Sequence, residues 1–174
     1  MKLLKDILYK AGIDDVIGNT HLAVEKVCFD SREADKFSAF VAVRGSQTDG
    51  HLFISKAIAS GSRIIICEEF PEDVDPIITY VKVKDSAQAL GVIASNFYDN
   101  PSEHLELVGV TGTNGKTTVV TLLYQLFKAL GYKCGLISTV GNKVANHDVP
   151  ATHTTPDPVQ LNKLLAQMVE AGCR

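Results

Sequence analysis

The segment Val108-Gly109-Val110-Thr111-Gly112-Thr113-Asn114-Gly115-Lys116-Thr117-Thr118 constrains the fold more than any other part of this chain. A β-branched apolar run enters it, glycines break the run, and a stretch with helical periodicity leaves it. Strand, tight turn and helix in that order belong to α/β architecture, and the order has a chemical consequence. Glycines at 112 and 115 let the backbone curl so that successive N–H groups point at one spot. The positive end of the helix adds to them. Lys116 brings a point charge to the β- and γ-phosphates of a nucleotide, and the Thr117 hydroxyl is placed to ligate Mg²⁺. The segment departs from the pattern G-x-x-x-x-G-K-[ST] at its first glycine, where Val110 stands.

The rest of the chain repeats the alternation. Short β-branched runs predict strands at 24–29, 38–43, 63–67, 78–83, 105–110 and 134–138. Helices are expected from Asp49-Gly50 to Gly61, from Asp85-Ser86 to about Tyr98, from Lys116 to Gly131, and from Pro156 onward. Residues 140–149 are polar and turn-rich, with a hairpin around Asn142 or Asn146-His147. Met1 to Asp6 reads as the first turns of an amphipathic helix. Asp99-Asn100-Pro101-Ser102 is the best linker and divides the chain into 1–101 and 102–174. The expected fold is α/β: a small N-terminal α/β domain, then an incomplete P-loop parallel-sheet domain. One strand–turn–helix–strand and one further helix are too little for a parallel sheet covered on both faces. The chain is therefore expected to be a fragment of a longer protein; a native stop codon after Arg174 would refute this.

Composition narrows the partners. With a formal charge of −3 over 174 residues, the chain has no basic stripe to release counterions, so nucleic acid is excluded as a partner and phosphate recognition must be local. No apolar run approaches the ~20 residues of a membrane span, and Lys2 and Lys5 break the first apolar run, so a cytoplasmic protein is expected. Cys28, Cys67, Cys134 and Cys173 stand singly in or beside apolar segments, which predicts free thiols.

Thr111-Gly112-Thr113-Asn114-Gly115-Lys116-Thr117-Thr118 resembles the ATP loop of the Mur ligases, the amide-forming enzymes of peptidoglycan synthesis. Folylpolyglutamate synthetase has a similar loop. Three further segments narrow the resemblance. Asp30-Ser31-Arg32 resembles the family's N-terminal signature, and 40–45 with 49–54 is similar to its uridine-binding strand, loop and helix. Ser138-Thr139-Val140-Gly141-Asn142 and Thr152-His153-Thr154-Thr155-Pro156-Asp157 resemble central-domain motifs of the branch that adds the third residue of the stem peptide.

The resemblance implies ATP-dependent addition of diaminopimelate or lysine to UDP-N-acetylmuramoyl-L-alanyl-D-glutamate, by a monomer. A substrate carboxylate takes the γ-phosphate of ATP to give an acyl phosphate, and the amine of the free amino acid displaces phosphate. Carried over by position, Phe29 and Ser31 touch the UDP portion, and Ser46, Gln47 and Thr48 hold the uracil. Gly112, Thr113, Asn114, Gly115, Lys116, Thr117 and Thr118 hold ATP, with Lys116 catalytic and Thr117 on Mg²⁺. His153, Thr154 and Thr155 meet the nucleotide sugar from the central domain. Phe29 stands where an aliphatic residue is common, and His153 where some relatives have asparagine. Further Mg²⁺ ligands, a carbamylated lysine and the amino-acid-binding domain lie downstream of Arg174 in relatives, so this chain is expected not to ligate.

Without the family, these residues have plainer readings. Asp30 and Arg32 make a surface ion pair, Ser46-Gln47-Thr48 a polar turn, Thr154-Thr155 a helix cap, and His51 a surface or packing histidine. The alternatives for the whole are the D-alanyl-D-alanine-adding ligase of the same family and a non-catalytic nucleotide-binding module.

Overall fold

Four consecutive buried residues, Ile64–Cys67, need covered faces on both sides and a neighbouring strand on each edge. In the computed structural model, which describes residues 1–45, 48–149 and 156–174, they form the centre of a five-stranded sheet. The described residues divide into two units, Met1–Phe97 and Tyr98–Arg174.

The first unit runs β1 (Lys2–Leu3), α1 (Leu4–Ile7), β2 (Ile13–Ile17), β3 (Ala23–Val24), β4 (Lys26–Cys28), β5 (Ser38–Val41), α2 (Ile54–Ala59), β6 (Ile64–Cys67), β7 (Thr79–Val83) and α3 (Ser86–Phe97). Its sheet has the order β2-β7-β6-β5-β4. Strands β4 to β7 are mutually parallel, with Ala39 opposite Ile64 and Ile65 opposite Tyr80, whereas β2 is an antiparallel edge. The strand expected at 24–29 is split. Ala23–Val24 pairs with β1, and Lys26–Cys28 joins the main sheet, with the Glu25 N–H donating to Phe37 O at 2.9 Å between them. Phe40, Ile65, Cys67 and Tyr80 pack with Ile54 and Ala57 of α2 into one core.

The helix expected from Asp49 to Gly61 has two parts. A 3₁₀ turn at Gly50–Phe53 is capped by Asp49, whose carboxylate accepts from the His51 N–H, and α2 follows. Gly61 ends it in the left-handed region at φ +105°. At the start of that turn Gly50 donates its N–H to Val43 O at 2.8 Å, bringing the two backbones together.

The second unit holds α4 (Lys116–Ala129), β8 (Leu136–Ser138), β9 (Gly141–Val144), β10 (His147–Val149) and α5 (Pro158–Glu170). The three strands form an antiparallel meander, β10-β9-β8, whose second turn lies at Ala145 and Asn146, one of the two expected positions. Val144 packs with Leu164, Leu165 and Met168 of α5 and with Cys173. Helix α5 starts two residues later than expected. Asp157 caps it, accepting from the N–H groups of Val159 and Gln160 at 2.9 Å each, and Pro158 occupies the first turn.

The strand expected at 105–110 is not formed. Among the described residues nothing pairs with it, and Leu107 and Val108 are 59% and 64% exposed. A buried parallel strand needs neighbours, and the three strands of this unit, linked by short turns, satisfy one another instead. Val119, Leu122, Leu126 and Leu130 of the α4 region are exposed for the same reason.

The cysteines are free, with Cys28, Cys67 and Cys173 buried and Cys134 partly so. Burial pushes the Cys28 and Cys67 thiols up to about 11. No helix among the described residues is long and apolar enough to cross a membrane.

Candidate functional site

In a parallel sheet the loops beyond the carboxyl ends of the strands form the ligand crevice. Here Phe29 to Arg32 follow β4, and Gly45, Thr48 and Gly50 lie beyond β5. Together with Phe53 and Lys56 they line a groove of about 660 Å³. Phe29 and Phe53 are each roughly two-fifths exposed, at 40% and 38%, so two aromatic rings face this groove from different elements. Ser31 is buried at its base. Asp30 accepts from the backbone N–H of Arg32 at 2.9 Å and from its guanidinium at 2.6 and 3.0 Å. These bonds from Arg32 hold the Asp30 carboxyl down at about 2. The surface ion pair and the groove wall are thus the same two residues.

The loop before α4 has the form its glycines require. Gly112 and Gly115 take φ values of +146° and +79°, and Gly115 begins the helix with no side-chain cap. The first-turn N–H groups therefore remain available for an anion. The Lys116 ammonium folds back over the loop and donates to Gly112 O at 2.6 Å and to Thr113 O at 3.4 Å. The Thr117 hydroxyl lies 3.2 Å from that of Thr139, so the loop meets the 138–142 motif. Asn142 of that motif is 5% exposed, and its Oδ1 has no partner among the described residues. Uncapped N–H groups, an ammonium over them and two adjacent hydroxyls fit a polyphosphate and a hard cation.

Of the residues singled out from the sequence, Phe29, Ser31 and Thr48 gather at the groove, and 112–118 form the loop. Ser46, Gln47, His153, Thr154 and Thr155 lie outside the described residues. Sequence reasoning missed Phe53 and Lys56 as groove residues, although their i, i+3 spacing puts them on one helix face. It also missed the meeting of Thr139 with Thr117, which no local pattern encodes.

Comparison with known proteins finds two family matches along the chain. Residues 23–98 match the Mur ligase family, catalytic domain, and residues 110–174 match the Mur ligase middle domain. The chain belongs to the Mur ligase family. It is 58% identical over 171 residues to the UDP-N-acetylmuramoyl-L-alanyl-D-glutamate–2,6-diaminopimelate ligase of Cytophaga hutchinsonii, covering 98% of this chain and 35% of that protein. It is 48% identical over 174 residues to the enzyme of that name from Phocaeicola vulgatus, covering 100% of this chain and 36% of the relative. The chain thus spans about a third of the length of these relatives. Among solved structures it is similar to the MurF ligase of Thermotoga maritima in complex with ADP, with 28% identity and a TM-score of 0.53 over 79% of this chain and 28% of that one. A MurF from Acinetobacter baumannii, 22% identical with a TM-score of 0.51 over 83% of this chain and 28% of that one, shares the fold.

Proposed function

We propose that this chain is the nucleotide-sugar-binding and ATP-binding part of a ligase that joins 2,6-diaminopimelate to UDP-N-acetylmuramoyl-L-alanyl-D-glutamate in peptidoglycan synthesis. The observation that carries this reading is the 58% identity, which runs through both units to a ligase of that name. The groove beyond β4 and β5 takes the UDP portion. Phe29 contributes an aromatic face and Ser31 a hydroxyl at the base, while Ser46, Gln47 and Thr48 hold the uracil. Residues 112–118 take the triphosphate of ATP on their backbone N–H groups, with Mg²⁺ on the Thr117 hydroxyl. His153, Thr154 and Thr155 meet the sugar. When bound, ATP would supply the phosphoryl group that activates the substrate carboxylate, and Mg²⁺ would offset the charge on its phosphates. The chain's own part is to neutralise charge, through Lys116 and the first turn of α4, where two anions approach. The protein acts as a cytoplasmic monomer.

Calorimetry with UDP-N-acetylmuramoyl-L-alanyl-D-glutamate, and separately with ATP and Mg²⁺, tests the two sites on this chain. Saturable binding of the nucleotide sugar, weakened at least tenfold by Ser31→Ala, is expected; no binding of any uridine nucleotide refutes the groove assignment. Amide formation by the purified 174-residue chain would overturn the reading of it as a partial enzyme. The likeness to the MurF ligase of Thermotoga maritima, at 28% identity, favours a second reading, addition of D-alanyl-D-alanine. Assaying the longer protein with diaminopimelate, lysine and D-alanyl-D-alanine in parallel separates the two.

A further inference from the structure

Arg44 and Asp49, which stand beside the groove residues Gly45 and Thr48 beyond β5, belong to a closed ring of polar contacts. Arg44 and Asp49 face each other as an isolated antiparallel bridge, and the Gly45 N–H donates to Thr48 O at 3.0 Å. From Arg44 the backbone N–H donates to Ser86 Oγ at 2.9 Å. The Ser86 hydroxyl and N–H both donate to Glu68 Oε1, at 2.7 and 2.9 Å. The Glu68 N–H donates to His51 Nε2 at 2.9 Å, and His51 Nδ1 lies 2.6 Å from Asp49 Oδ1. Asp49 Oδ2 closes the ring on Arg44 Nε at 3.4 Å. The ring joins Arg44 and Asp49 to the end of β6 and the start of α3.

One link fixes the chemistry of the rest. A backbone N–H can only donate, so Nε2 of His51 must offer a lone pair to Glu68, and the neutral ring then carries its proton on Nδ1 and gives it to Asp49. A second proton at Nε2 would set two donors against each other and open the ring at that link. We propose that His51 is a positioning residue for the nucleotide groove: as the neutral Nδ1–H tautomer it locks Arg44 and Asp49, which flank the groove residues Gly45 and Thr48, to the end of β6, and a second proton on its imidazole opens that link. The groove's ligand in this statement rests on the function proposed above.

The charged groups facing the imidazole are Asp49 on its own segment and Glu68 beyond β6. Arg44 and Glu69 stand one contact further, the Arg44 guanidinium lying 3.3 Å from Glu68 and 3.2 Å from Glu69. The backbone N–H of His51 holds Asp49 below the usual carboxylate range, and that of Ser86 does the same for Glu68. Both carboxylates therefore stay charged and keep accepting, so the closed set of contacts depends on His51 offering Nε2 as an acceptor.

The test follows side-chain ¹⁵N signals of the histidines and backbone amides of the full chain from pH 8 to 5. Binding of UDP-N-acetylglucosamine, whose diphosphate does not ionise in this range, is measured by calorimetry at each pH. The Nδ1–H tautomer is expected at pH 8, with the amides of Gly45, Thr48 and Glu68 following the His51 ring with one midpoint. Affinity should fall about tenfold over the same range, the worth of one hydrogen bond. His51→Ala should bind at pH 8 as the unaltered chain does at pH 5, with a flat profile. An Nε2–H tautomer, amides that ignore the ring, or an affinity unchanged while the ring titrates overturns the proposal, whether or not the alanine variant folds. Amides that follow the ring without nucleotide-sugar binding at any pH support the lock and refute the uridine assignment of the groove instead.

Discussion

Replacing Gly50 by alanine and replacing Gly91 by alanine are the same chemical change, and the structure gives them opposite signs. A Cβ on Gly50 would lie 2.6 Å from Val43 N, 2.7 Å from Val43 O and 2.9 Å from Ala42 C. All three are backbone atoms of the chain leaving β5, so no side-chain rotation relieves the contact. Overpacking of this kind costs about 1–3 kcal/mol. Separating the backbones also loses the Gly50 N–H bond to Val43 O, worth about 0.5–1.5 kcal/mol. Gly50→Ala should therefore destabilise the first unit by about 2–4 kcal/mol. A Cβ on Gly91 meets nothing within 4 Å, and Gly91 lies inside α3. Gly91→Ala should stabilise by about 0.5–1 kcal/mol, because the unfolded chain loses freedom that the helix never used. Native-state amide hydrogen exchange at Phe40 and Ile65, in the two buried strands beside this contact, reads both changes. A Gly50→Ala variant within about 0.5 kcal/mol of the parent, against the usual overpacking cost, would show that the close approach of the two backbones is not real.

The Asp30 carboxyl is depressed to about 2 in the folded chain, so its pairing with Arg32 contributes stability above the unfolded carboxylate value near 3.8, lost as pH falls toward 2. Urea denaturation of the parent and Asp30→Asn should accordingly differ at pH 6 and converge by pH 2. Asp157→Ala removes the acceptor for two first-turn N–H groups of α5 and should cost about 1 kcal/mol, seen as faster exchange of the α5 amides. Lys116→Met leaves the loop glycines in place and removes the ammonium. It should weaken binding of ATP with Mg²⁺ at least tenfold by calorimetry while leaving nucleotide-sugar binding unchanged; equal ATP affinity would remove Lys116 from the site.

Much of the first unit was legible because its strands announce themselves. Ile64–Cys67 is apolar throughout and β-branched in three of four positions, and only a doubly covered parallel strand satisfies it. Strand β2 was missed because Asp14 and Asp15 interrupt it and it pairs on one edge only, where charge is tolerated. The groove was legible in part. Asp30, Ser31 and Arg32 stand out as a cluster at a strand end, whereas Phe53 and His51 look like ordinary residues of a helix start. The contacts of His51 depend on Glu68, 17 positions away, and that distance is written in the sheet rather than in any local pattern.

The second unit separates two kinds of information that the sequence carries in adjacent residues. The loop at 111–118 closes through contacts no more than four positions apart: the Lys116 ammonium reaches Gly112 and Thr113, and Gly115 turns the chain into α4. Such a structure is decided by its own residue types, so the motif could be recognised and its geometry foreseen together. The run at 105–110 has equally strong strand character, yet its ladder bonds must come from elsewhere, and among the described residues no segment supplies them. Leu107, Val108 and the stripe Val119, Leu122, Leu126 and Leu130 are consequently left in solvent, although their pattern is that of a core. Local closure explains why the loop at 111–118 takes its form although no strand pairs with 105–110 among the described residues, and why a hydrophobic pattern alone did not fix where the strand before it would go.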